Sequence, residues 1–143
     1  MLIGLVLLAT VLGLVWRARN GRIVRVTESG TISGNRVTIP NAPTFGSCVT
    51  LLQFSTVACA PCATTHSLLS SLALELDDGT GQVVHVDIDV TARPALAKQF
   101  NLLQSPTTFI LDGDGVLQAR ISGAPKISEV RAELERMLCL ELV

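Results

Sequence analysis

Residues 49–62, VTLLQFSTVACAPC, run an apolar strand directly into a Cys-x-x-Cys pair. Val49-Thr50-Leu51-Leu52-Gln53-Phe54 reads as a buried strand, and a helix is expected from Pro61 to about Leu76. That context sets Cys59 at a helix N-terminus, where unpaired backbone N–H groups and the positive end of the helix dipole stabilise a thiolate. The thiolate is the form that attacks disulfides, and such placement lowers a cysteine pKa. Two intervening residues let the second sulfur reach the first and resolve a mixed disulfide. Pro61 suits the first helical position, where a missing N–H is tolerated.

Two other readings of the pair stand beside this one. Cys59 and Cys62 could be neighbours by chance, which the strand–Cys-x-x-Cys–helix order disfavours. Cys59, Cys62 and His66 could ligate zinc, but a structural site needs four ligands, and Cys48 and Cys139 lack a second paired spacing. No metal is therefore expected. His66 reads as a surface or packing residue, and Cys48 and Cys139 as small buried apolar residues.

Beyond the first helix, Asp77-Asp78-Gly79-Thr80-Gly81 is a break, and Val83–Ile88 is a β-branched strand. Thr91–Phe100 reads as a short helix with Pro94 in its first turn. Thr107–Leu111 is a strand, turned by Asp112-Gly113-Asp114-Gly115 into Val116–Ile121. An amphipathic helix closes the chain from about Ser128 to Leu140. Upstream, Ile23–Val26 and Arg36–Ile39 read as short strands, with turn residues at Ser29-Gly30 and Ser33-Gly34-Asn35. From residue 49 the order is β-α-β-α-β-β-α, an α/β class with a mixed sheet covered by helices on both faces.

With 143 residues the chain has room for one domain. Aromatics are 3% of it, so the core must be Leu, Val, Ile and Ala. A net charge of −1 argues against nucleic acid as a partner, since phosphate binding needs a surplus of Lys and Arg. Leu2–Trp16 is an uncharged apolar run ending at Arg17, followed by Arg19, Arg22, Arg25 and Arg36 against Glu28 alone. No basic residue precedes the run and no A-x-A site follows it, which disfavours a cleaved signal peptide. Residues 1–16 are thus expected to be one transmembrane anchor, 17–46 a basic juxtamembrane stalk, and 47–143 the globular domain. The basic flank places that domain on the cytoplasmic side of a cell membrane, the extracytoplasmic face being the alternative.

The segment from about Val49 to Leu140 resembles the thioredoxin family. Cys59-Ala60-Pro61-Cys62 is similar to its catalytic motif and Val83–Asp89 to its next strand. Ser105-Pro106-Thr107 is similar to its cis-proline loop, and Ser122-Gly123-Ala124 to its substrate-groove loop. More narrowly, the apolar run and arginine-rich stalk resemble small membrane-anchored thioredoxins of actinobacterial type. The resemblance implies a thioredoxin-like fold, Cys59 as nucleophile, Cys62 as resolving thiol and a cis peptide before Pro106. It also implies Ser105, Thr107 and Gly123 as substrate contacts, with no cofactor beyond the Cys59–Cys62 disulfide.

The chain departs from the family at several positions. Ala58 and Ala60 stand where the family has Trp and Gly, which removes apolar surface beside the nucleophile. The family's buried aspartate falls on Gln53 and its lysine partner on His85. A glutamine cannot accept the Cys62 proton as a carboxylate can. His85 could share that role or be an inert strand residue.

The activity expected is disulfide exchange with a protein partner, as a reductant if cytoplasmic, with electrons supplied by an upstream reductase. The alternative is a redox-inactive, membrane-tethered docking module.

Overall fold

The computed structural model describes residues 2–19, 21–26 and 36–141. The turns expected at Ser29-Gly30 and Ser33–Asn35 and the side chain of Cys139 lie outside the described residues. Helix α1 spans Leu2–Arg19, and strand β1 spans Ile23–Arg25. Then follow β2 (Val49–Ser55), α2 (Ala60–Leu76), β3 (Val83–Asp89), α3 (Pro94–Gln99), β4 (Thr107–Asp112), β5 (Leu117–Ser122) and α4 (Ile127–Glu141).

The five strands form one mixed sheet in the order β1-β5-β4-β2-β3. β2 and β3 are parallel, joined by the α2 crossover, and the remaining pairs are antiparallel. Every residue of β2 is buried, as a central strand covered on both faces requires. On one face, Val49, Leu51, Val83, Ile110 and Ile121 pack against Leu69 and Leu72 of α2 and Val130 and Leu134 of α4. On the other, Leu52, Phe54, Val86, Ile88 and Phe109 pack against Leu96, Val37 and Ile39. Phe54, Phe100 and Phe109 contact one another, with ring centroids 5.0–5.7 Å apart. The four phenylalanines are thus concentrated on one face.

The β4–β5 turn needs Gly115, whose φ of +76° only glycine adopts cheaply. Asp112 Oδ1 accepts from the N–H groups of Asp114 and Val116 and fixes the turn.

Three expectations are corrected. Arg36–Ile39 is not a strand; a single bridge joins Arg36 to Val116. β1 already occupies the free edge of β5, pairing Ile23 with Ile121 and Arg25 with Ala119. Val37 and Ile39 instead use their alternation to bury side chains on the sheet face. Cys48 is half-buried rather than a core residue, its thiol 3.8 Å from Gln82 Oε1.

The third correction concerns residues 1–16. α1 is a continuous helix, but no helix among the described residues is long and apolar enough to cross a membrane. The uncharged run Leu2–Trp16 rises only about 22 Å, against a hydrocarbon thickness of about 30 Å. Arg17 and Arg19 take the last turn of the same helix.

Candidate active site

β2 ends at Ser55 and the chain turns through Thr56-Val57-Ala58 into α2, with Cys59 as its N-cap residue. The helix begins one residue earlier than expected, at Ala60, so Pro61 lies within the first turn rather than at its first position. Cys59 and Cys62 are joined by a disulfide, their Cα atoms 5.4 Å apart. Cys62 is buried and Cys59 half-exposed. Access of a partner is thereby restricted to the first sulfur, at the end of the helix whose N–H groups favour a thiolate.

Antiparallel pairing brings the start of β4 to the same end of the sheet, Thr107 opposite Phe54. The Ser105–Pro106 peptide bond is cis. Thr107 Oγ1 donates to the Gln104 carbonyl at 2.7 Å, which folds the loop back on itself. Gly123, with φ +89°, donates its N–H to the Pro106 carbonyl at 2.8 Å. Ser105, Pro106, Thr107 and Gly123 therefore lie at the end of the sheet from which β2 leads to Cys59, although they lie far away in sequence.

Below Cys62 the sheet is polar. Gln53 is wholly buried; its Nε2 donates to the Cys62 carbonyl at 3.0 Å, and its Oε1 lies 3.2 Å from His85 Nε2. An amide oxygen only accepts, so His85 carries its proton on Nε2. Its Nδ1 accepts from Ser70 Oγ at 2.8 Å. Burial, then the neighbouring His66, push the His85 pKa down to about 4, with Asp87 opposing. The ring is neutral at physiological pH, and both nitrogens are engaged. Gln53 and His85, considered separately in the sequence, form one chain of hydrogen bonds ending on Cys62.

Sequence reasoning missed the rest of this seam. His66 Nδ1 lies 3.4 Å from Asp87 Oδ2, and its ring meets His85 edge to face at 4.9 Å. Ser55 Oγ donates to Asp87 Oδ1 at 2.6 Å. Ser55, Cys59, Cys62, His66 and Asp87 border an open cleft of about 490 Å³. Two periodicities could have revealed it: Cys62, His66 and Ser70 are spaced by four on α2, and Gln53/Ser55 and His85/Asp87 are spaced by two on β2 and β3. Thr91 was also missed. Its hydroxyl accepts from the Val57 N–H at 3.0 Å and donates to Asp89, holding the loop before Cys59. Among the described residues no three His, Cys, Asp or Glu side chains are placed to hold a metal ion.

The family model described as Thioredoxin matches residues 43–136. A thioredoxin of Mycolicibacterium smegmatis is 35% identical over 88 residues, 62% of this chain and 77% of that protein. Among solved structures, chloroplastic thioredoxin z is 24% identical with a TM-score of 0.56, over 65% of this chain and 80% of its own. The thioredoxin of Fasciola hepatica is 23% identical with a TM-score of 0.53, over 64% and 83%. At those identities the two structures speak for the fold alone.

Proposed function

The chain belongs to the thioredoxin family and is a disulfide oxidoreductase, and from that premise we propose that it reduces disulfides of a protein partner while attached to a membrane. The observation that carries the exchange reaction is the Cys59–Cys62 disulfide at the N-terminus of α2, with its first sulfur accessible and its second buried. Cys59 attacks the partner's disulfide as a thiolate. Cys62 then displaces the partner and closes the pair. Ser105, Pro106, Thr107 and Gly123 provide the wall against which the partner's chain lies, supported by their convergence on the same end of the sheet. Gln53 and His85 tune Cys62 through its carbonyl. No cofactor is needed beyond the disulfide, and an upstream reductase restores the thiols.

Attachment rests on α1. Ile3, Leu5, Leu7, Leu8, Leu12 and Leu14 are all exposed, an arrangement that water disfavours and lipid does not. Thr10, the polar side chain of the run, donates to the Val6 carbonyl and so is satisfied within the helix. The basic residues after the run favour an anionic, cytoplasmic surface. An exposed apolar helix followed by arginines is similar to small membrane-anchored thioredoxins of actinobacterial type.

The equilibrium reduction potential of the Cys59–Cys62 pair, with Cys48 and Cys139 replaced by serine, tests the direction of transfer. A value near the thioredoxin range of about −270 mV supports a cytoplasmic reductant. A value of about −120 to −180 mV makes the protein an oxidant or isomerase and reverses the assigned side. Failure of the disulfide to form at any poise favours the docking module.

A further inference from the structure

We propose that His66, oriented by Asp87, is the group that takes the proton from Cys62 when Cys62 resolves the mixed disulfide. The inference rests on the roles given above to Cys59 and Cys62. A buried thiol must lose its proton to become the attacking thiolate, and the sheet side chain that reaches Cys62, at its carbonyl, is Gln53, an amide with no basic site. Of the side chains lining the cleft beside Cys62, His66 is the only imidazole; Ser55, Thr56 and Ser67 carry hydroxyls and Asp87 a carboxylate.

The titratable groups packed around His66 are few. β3 presents His85 and Asp87; β2 presents only uncharged Gln53 and Ser55; α2 itself contributes Cys62 one turn earlier. Asp89, further along β3, is occupied with Thr91. His85 cannot serve, because its Nε2–H is directed at Gln53 and its Nδ1 already accepts from Ser70. Burial also holds it neutral, with a pKa of about 4. A carboxylate is in general a weak acceptor for a thiol proton, but Asp87 faces His66 Nδ1 and is fixed from behind by Ser55. A carboxylate facing Nδ1 favours the tautomer with the proton on that nitrogen, in which Nε2 carries the lone pair. Asp87 is thus a positioning residue. An imidazole is the side chain suited to exchange a thiol proton near neutral pH.

The step balances without a further reactant. Cys62 Sγ–H gives its proton to His66, and the thiolate attacks Cys59 Sγ. The Cys59–partner S–S bond breaks and its electron pair leaves on the partner's sulfur. The imidazolium proton goes to that thiolate. The partner's disulfide ends as two thiols, and the Cys59–Cys62 pair ends oxidised.

The test follows the pH dependence of the two half-reactions in the full chain, by rapid acid quench and mass analysis of the mixed disulfide with a disulfide-linked peptide. For His66→Gln, formation of the mixed disulfide at Cys59 should stay within about twofold of wild type. Its resolution should slow about 100-fold or more at pH 7. The deficit should close as pH rises towards the ordinary thiol range of about 8.5. Asp87→Asn should displace the profile in the same direction by less. A His66→Gln profile superimposable on wild type overturns the proposal. So does equal slowing of both steps at every pH, which marks a structural defect. If a Cys62→Ser chain traps no mixed disulfide at Cys59, the assigned cysteine roles fall, and this inference falls with them.

Discussion

His85 ties the chemistry of single residues to the stability of the fold. Its pKa is lowered from 6.5 to about 4, chiefly by burial and then by His66. The unfolded chain therefore binds a proton in a window where the folded chain does not. Stability contributed by the neutral ring is complete above about pH 6.5 and is lost as pH falls towards 4. Solvent reaches part of the ring, so the loss is discounted to about 1–2 kcal/mol. Urea midpoints measured at pH 7 and pH 4.5 should show that loss in wild type. His85→Asn, which removes the titrating group, should flatten the difference, and an unchanged difference would assign it to the carboxylates. At this scale the sequence exposed Cys59 and Cys62 because their spacing is local. It did not expose Ser55, His66, Ser70 or Asp87, whose partners lie on other elements.

At the scale of elements, β1 is fastened to α4 by an ion pair. Glu133 on α4 is buried to 2% exposure, and its Oε2 accepts from Arg25 Nε and Nη2 at 3.0 and 2.7 Å. Arg136 Nη2 donates to its Oε1 at 2.6 Å. Burial pushes the Glu133 pKa up, but the two arginines outweigh it and hold the carboxyl below its usual range. Glu133→Ala frees two arginines that rehydrate at the surface, so the expected cost is about 1–2 kcal/mol rather than that of an orphaned buried charge. The loss should be localised: hydrogen exchange at the Val26 amide, which pairs with the Gln118 carbonyl, should quicken, while β2 stays protected. Equal quickening in β2 would show that the clamp stabilises the whole sheet. The amphipathic spacing announced α4, but nothing local announced which strand its glutamate would grip.

For the whole molecule, the contrast is between a domain with two packed cores and a helix whose described apolar side chains, from Ile3 to Val15, are exposed. Burying those side chains in lipid is favourable by roughly 25 cal/mol per Å² of apolar surface, which is ample for attachment even where the run is too short to span. The full chain should therefore float with anionic vesicles, and residues 21–143 alone should remain in the aqueous fraction. Disulfide reduction by the two forms should agree within about twofold, since α1 contributes no residue to the cleft. Flotation of the shorter form would move the lipid contact to the domain.

The sequence by itself determined the order of strands and helices from residue 49 onward, because side-chain periodicity and turn chemistry act over a few residues. It also determined the redox pair, because two cysteines three apart at a helix start meet without help from the rest of the chain. Only the tertiary structure decided that β1, and not Arg36–Ile39, completes the sheet, since one free edge of β5 can be paired once. Only the tertiary structure joined Gln53 to His85 and His66 to Asp87 beside Cys62. Those contacts depend on the register of β2 against β3 and on how α2 lies over both. Packing of the entire core fixes these, and no short stretch of sequence encodes them.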